Sequence, residues 1–271
     1  MDFVKLPDRQ PLTYIFDLDG VIYRGDEKQP FAAEVLSALR ERGDLVKFFT
    51  NNSSLSRESY SRRLHSFGID APIDDIMTSS YATALYFIET GKIGKTVFQI
   101  GQEGVTSELE AVGMKVIKED EEPEAKIDCV VVGIATAFNY DKLARAQSAI
   151  LGGAEFIATN EDLTYPTESG SVKPGNGALT AAVRAATSVE PFVVGKPHIY
   201  ALRKILEHNK TTPENAVMVG DNLTTDIIAG NRASMHTVVV LTGLTLREQA
   251  EAATGEMKPD YIIETLKELL D

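Results

Sequence analysis

The sequence predicts an α/β protein with a mostly parallel core sheet, interrupted by an inserted α/β module. Three observations lead there. Short apolar runs alternate with helix-period segments almost throughout, the pattern of strand–helix–strand units. Four of those runs stop abruptly at polar residues, as strands do at the ligand-binding edge of a parallel sheet. The stretch between the second and third of these stops has a strand–helix alternation of its own, which places the core at residues 1–80 and 176–271 and the insertion at 81–175.

In chain order, strands are expected at 13–16, 46–49, 96–100, 129–134, 155–158, 192–194, 216–219, 237–241 and 261–263. A helix carries Ala32, Val35, Leu36 and Leu39 at core-facing spacing, with Pro30 at its start. A second helix begins after Ser56 as N-cap, with Leu55 and Tyr60 placed as a hydrophobic staple, and stops at Gly68. The insertion opens at Thr78-Ser79-Ser80 and closes through residues 169–175. No repeat or low-complexity tract interrupts the pattern.

Composition narrows the function. The 271 residues are 43% apolar and 25% charged, enough for a sizeable core, and the net charge is −13. Nucleic acid and anionic membranes demand a basic footprint, so neither is the expected partner. The single cysteine, Cys129, sits in an apolar run; no intrachain disulfide or cysteine metal site can form, which fits a reducing cytoplasm. Residues 1–10 carry charges rather than the apolar run of a signal peptide, and no stretch approaches the roughly 20 apolar residues of a membrane helix. The sequence leaves a homo-oligomer open.

The four strand-end segments are Asp17-Leu18-Asp19-Gly20, Thr50-Asn51-Asn52, Gly195-Lys196-Pro197 and Gly220-Asp221-Asn222. Each alone is a common turn or cap. Together, in one order and with complementary chemistry, they are specific. If their strands share one sheet, Asp17, Asp19, Thr50, Lys196 and Asp221 converge. Asp17 and Asp19, two apart, then leave the strand end on the same side. One carboxylate serves as nucleophile toward phosphorus and the other as general acid and base. An ordinary aspartate titrates at about 3.9, so Asp17 is expected to be ionised. Asp19 must hold a proton, which predicts a pKa raised by the neighbouring negative charge. Thr50 and the amides of Asn51 and Asn52 can donate hydrogen bonds to a phosphoryl group, and Gly20 lets the backbone approach it closely. Pro197, in the first turn of a helix, aims Lys196 at the sheet edge. A phosphate dianion with Asp17 and Asp221 carries about −4 against one lysine, so a divalent cation is required, and hard oxygen ligands select Mg²⁺. Asp17, Asp221 and a backbone carbonyl near Asp19 are its candidate ligands, with Asp226 direct or through water.

At these residues the sequence closely resembles the haloacid dehalogenase superfamily of phosphotransferases, the fourth motif running Gly220 to Asp226. The insertion, with Ala158-Thr159-Asn160-Glu161-Asp162 and Pro174-Gly175-Asn176-Gly177, is similar to the large α/β cap of the NagD-like subgroup. The resemblance implies a Rossmann-like core with an inserted α/β cap and a Mg²⁺-dependent hydrolase of small phosphomonoesters. It implies Asp17 as nucleophile, Asp19 as acid and base, Thr50 and Lys196 on the phosphoryl group, and Asp221 on Mg²⁺ with Asp17 and the Asp19 carbonyl. Sugar phosphates, nucleotides, phosphoglycolate, pyridoxal phosphate and para-nitrophenyl phosphate are the substrate types it brings. Receiver-type switches also combine aspartate, threonine and lysine around Mg²⁺, but they are far shorter, and Asp19 argues for turnover. A phosphotransferase using the same aspartate stays open. Gly133-Ile134-Ala135 departs from related caps, which often carry an acidic residue there, so substrate preference is expected from residues 133–140 and 160–168.

Overall fold

Residues 13–16 carry no charged side chain, and in the computed structural model they form a strand buried on both faces, the Thr13 hydroxyl pairing with that of Thr211 at 2.8 Å. The structure describes residues 11–117, 126–166 and 172–270. In chain order the strands are β1 (Thr13–Phe16), β2 (Tyr23–Arg24), β3 (Glu27–Lys28), β4 (Leu45–Thr50), β5 (Ile76–Thr78), β6 (Thr96–Ile100), β7 (Lys115–Ile117), β8 (Cys129–Val132), β9 (Glu155–Ala158), β10 (Thr164–Pro166), β11 (Val172–Pro174), β12 (Phe192–Val193), β13 (Ala216–Gly220), β14 (His236–Val240) and β15 (Tyr261–Ile263). The helices are α1 (Ala32–Glu41), α2 (Arg57–Ser66), α3 (Ser79–Glu89), α4 (Glu103–Ala111), α5 (Tyr140–Leu151), α6 (Asn176–Thr187), α7 (Tyr200–Asn209), α8 (Ile228–Arg232) and α9 (Arg247–Ala252).

The chain divides into two units. The first comprises Met1–Thr50, Ser61–Met77 and Lys196–Asp271, and the second Asn51–Tyr60 and Thr78–Gly195. The first is built on a six-stranded sheet of order β15-β14-β13-β1-β4-β5. β1 pairs in parallel with β13 and β4, and β13 with β14 and β14 with β15 likewise. Phe16 lies opposite both Val219 and Phe48, so β1, β4 and β13 finish at the same edge. α1 packs on β4 through Val35, Leu36 and Leu39, and Gly68, at φ +75°, follows α2 where a stop was expected.

The second unit has a parallel sheet of order β12-β9-β8-β6-β7. Its core gathers Phe98, Ile100, Val130, Val132, Ala146, Ile150, Phe156 and Val183. Cys129 is buried there, and burial pushes its thiol up to about 12, an inert small hydrophobe.

Three expectations change. The 192–194 run does not join the core sheet: β12 pairs with β9 in the second unit, Val193 opposite Ala158. The boundary expected after Gly175 lies at Gly195, because α6 packs on α5 and β8 and buries Val183 in that unit's core. Of the residues expected to close the insertion, 169–171 lie outside the described residues. Nor does Pro197 open a helix; it lies in a turn, and α7 starts at Tyr200.

Candidate active site

The first unit gathers the site at the carboxyl edge of its sheet. Beyond the last residue of β1, the Asp17 amide donates to the Val219 carbonyl at 2.9 Å, which continues the ladder and fixes where Asp17 stands. The chain then turns sharply. Ile22 donates to Leu18 O at 2.9 Å and Gly20 to Tyr23 O at 2.8 Å, with Gly20 at φ +82°. Thr50 ends β4 and is buried. Asp221 follows β13. Asp226 sits in a π-helical turn, Leu223–Ile227, capped by the Asn222 side chain. Such turns are frequent at functional sites.

Lys196 holds this edge together. Its ammonium lies 2.6 Å from Asp17 Oδ1 and 2.7 Å from Asp226 Oδ1, donates to the Phe49 carbonyl at 3.1 Å, and is only 2% exposed. Asp226 Oδ2 accepts from the Asn222 amide at 3.1 Å, and Asp221 Oδ2 accepts from the Leu244 amide at 2.8 Å. Carboxylate oxygens of Asp17, Asp221 and Asp226 all lie within 4.8 Å of one another.

The charges do not balance. Burial, with Asp226 and Asp221 alongside, drives Asp17 well above the ordinary carboxylate range despite Lys196. Burial and Asp226 push Asp221 up to about 7. Burial works against the Lys196 ammonium, but Asp17 and Asp226 outweigh it and hold its pKa above the usual lysine value. Three carboxylates, two of them buried, around one ammonium leave negative charge uncompensated, and hard oxygen donors at this spacing fit a Mg²⁺ ion.

Two family models match the chain: haloacid dehalogenase-like hydrolase over residues 14–115 and a HAD-hydrolase-like family over 193–269. The acid sugar phosphatase of Staphylococcus saprophyticus is 37% identical over 258 residues, covering 95% of this chain and 96% of its own. The 5'-nucleotidase YutF of Bacillus subtilis is 39% identical over 256 residues, covering 94% and 96%. The structure of glycerol phosphate phosphatase from Mycobacterium tuberculosis in complex with magnesium superposes with a TM-score of 0.85 at 33% identity, covering 95% of this chain and 75% of that one. This chain belongs to the haloacid dehalogenase-like hydrolases.

The expected residues of this haloacid dehalogenase-like hydrolase fall into two groups. Asp17, Asp19, Gly20, Thr50, Lys196, Asp221 and Asp226 all lie in the first unit. Asn51 and Asn52 belong to the second, where the Asn51 side chain donates to Asp162 Oδ2 at 3.0 Å and its carbonyl accepts from Ser79 Oγ and Asn160 Nδ2, each at 2.6 Å. Asp19 opens to solvent at the rim. Its pKa is raised, but by burial among surrounding protein and not by negative charge; the nearby charges, Arg63 and Lys196, pull it down. Asp17, expected to be ionised as an ordinary aspartate would be, is held toward its protonated form by burial and the unbalanced carboxylates.

Gly20 meets a constraint beyond the expected one. A Cβ there would fall 2.2 Å from Asp221 Oδ2, so the missing side chain makes room for that carboxylate. Sequence reasoning missed residues 242–245, which follow β14 at the same edge. Their signal was available: an apolar run ending in Thr242-Gly243, the pattern that marked the other segments. Arg63, which sits over the Tyr23 ring and donates to Gly25 O at 2.5 Å, carried no comparable signal.

Proposed function

We propose that this chain is a Mg²⁺-dependent phosphatase of small-molecule phosphomonoesters, NagD-like in organisation and cytoplasmic, which works through an aspartyl-phosphate on Asp17. The observation that carries the reading is Lys196 Nζ at 2.6 Å from Asp17 Oδ1, beside two further buried carboxylates. Family membership makes the chain a hydrolase, and relatives named as phosphatases and a 5'-nucleotidase support phosphoric monoesters as its substrates. The relatives' names diverge over sugar phosphate, nucleotide and glycerol phosphate, which supports a small ester without choosing among them. Among the described residues no helix is long and apolar enough to cross a membrane.

In the proposed reaction an Asp17 carboxylate oxygen attacks phosphorus. A P–O bond forms to Asp17 as the ester P–O bond breaks, and the leaving oxygen takes the proton held by Asp19. Burial, which raises the Asp19 pKa, supports its holding that proton. Water then gives its proton to the Asp19 carboxylate while its oxygen attacks phosphorus, releasing inorganic phosphate and restoring the Asp17 carboxylate. Lys196, anchored by Asp226 and the Phe49 carbonyl, presents fixed positive charge where the phosphoryl oxygens gather. Thr50 lies at the same edge as a hydroxyl donor. Asp17, Asp221 and the Asp19 carbonyl would hold the Mg²⁺ ion, which supplies the positive charge that admits an anionic ester among carboxylates. Both Asp226 oxygens already have protein partners, which supports its reaching the ion through water.

Phosphate release from a panel of sugar phosphates, nucleotides, glycerol phosphate and para-nitrophenyl phosphate, with Mg²⁺ and with chelator, tests the reading. Release from at least one ester that depends on Mg²⁺ is expected. Silence across the panel with Mg²⁺ present, or transfer to an added sugar in place of release to water, would overturn it.

A further inference from the structure

Asp221 is held by the loop after β14, outside the four motif segments, and is flanked by Gly20 of the first. Leu244 N donates to its Oδ2 at 2.8 Å, and Thr245 N donates to its backbone carbonyl at 3.1 Å. A Cβ on Gly243 would lie 1.8 Å from Asp221 Oδ2, and one on Gly20 would lie 2.2 Å from the same atom and 3.2 Å from the Gly243 Cα. The carboxylate is therefore sandwiched between two bare backbones, with space for no methyl group on either.

The two backbones are tied to each other. Thr242 Oγ1 donates to the Gly20 carbonyl at 2.6 Å, and Gln29 Nε2 reaches the Gly20 carbonyl at 3.4 Å and the Thr242 carbonyl at 3.3 Å. The turn that carries Asp19 and the loop after β14 are thus held at the separation the Asp221 carboxylate needs. β14 lies next to β13 in the sheet, which brings this loop to the edge where Asp221 stands.

We propose that Thr242, Gly243 and Gln29 form a clamp that holds the Asp221 carboxylate in one orientation for a divalent cation, which makes them positioning residues for the phosphatase reaction. The inference rests on the Mg²⁺ reading above. It follows because a carboxylate locked by amide donors binds a cation without first losing rotational freedom, and loss of a partner that orients a metal ligand typically costs about 10- to 100-fold in metal affinity. Thr242 is half-buried, so Thr242→Val removes the hydroxyl without opening a core cavity.

Calorimetric titration of Mg²⁺ into wild type, Thr242→Val, Thr242→Ser and Gly243→Ala is the test, with thermal melts in chelator to report folding. Thr242→Val is expected to weaken Mg²⁺ binding about ten-fold with its chelator melt unchanged, and Thr242→Ser to bind as wild type does. At saturating Mg²⁺ the substrate KM of Thr242→Val should stay at the wild-type value. Gly243→Ala should lose more affinity; if it does not fold, Thr242→Val and Thr242→Ser decide. Equal Mg²⁺ affinity in wild type and Thr242→Val would overturn the clamp alone, whereas no Mg²⁺ binding by wild type would remove both the clamp and the metal reading.

Discussion

Lys196 lies between Asp17 and Asp226, 2.6 Å from one and 2.7 Å from the other, and is the common partner of both. It reaches this position although the strand before it, β12, belongs to the other unit's sheet. The lysine therefore ties the charge balance of this edge to a single ammonium.

Replacing Lys196 with Met should destabilise the metal-free protein at neutral pH by about 3–5 kcal/mol, because two buried carboxylates lose their counter-ion. Denaturant unfolding in chelator measures this. Mg²⁺ should restore part of the loss by binding only the folded state. A change below about 1 kcal/mol, as for an exposed pair, would contradict the burial argument.

Asp17→Asn keeps the shape of the side chain and removes the attacking charge. Activity should fall by roughly three or more orders of magnitude. The chelator melt should not fall with it, since burial and two neighbouring carboxylates already disfavour charge at this position. Steady-state phosphate release and a thermal melt on the same preparation separate the two effects.

The pH dependence of stability has a definite sign. Asp221 titrates near 3.8 when unfolded and at about 7 when folded, so between these values the folded state binds more protons. Metal-free stability should then fall as pH rises from about 4 to 7, and the destabilisation should be complete above 7. Mg²⁺ displaces that proton, so the melting shift it produces should be larger at pH 8 than at pH 5. Asp221→Asn should flatten the metal-free slope. A rising slope through this window that is unchanged in Asp221→Asn would contradict the assignment.

Chelation should abolish phosphate release and Mg²⁺ should restore it. Activity indifferent to chelator would remove the charge argument that calls for a cation at Asp17 and Asp221.

The strands at 13–16, 96–100, 155–158 and 261–263 match the structure residue for residue because their apolar runs end at sharp polar boundaries. The convergence of Asp17 and Asp221 was legible for the same reason, since polar groups that follow buried neighbouring strands emerge at the sheet edge; Lys196 was expected there from a strand of the core sheet, and it arrives from a strand of the other unit. What escaped depends on partners that a linear reading does not hold. Phe192-Val193 reads as a strand whichever sheet it joins, and only its pairing with Ile157-Ala158 decides. α6 reads as an amphipathic helix on either side of a boundary, and its packing on α5 settles its place. β5 (Ile-Met-Thr) and β7 (Lys-Val-Ile) were not expected from the sequence. Thr242-Gly243 carries no charge, so its part in holding Asp221 appears only when distances are measured. Adjacency to Asp17 suggests repulsion as the cause of the Asp19 shift, whereas surrounding protein dominates it.

Asp19→Asn gives the most direct measurement. Without a base to activate water, the covalent adduct should accumulate. Rapid acid quench of this variant with Mg²⁺ and an ester that wild type hydrolyses and whose leaving group departs without a proton, such as para-nitrophenyl phosphate, followed by peptide mass spectrometry, should find one phosphoryl group on the peptide carrying Asp17. Its absence there, or its presence on another residue, would contradict Asp17 as the nucleophile.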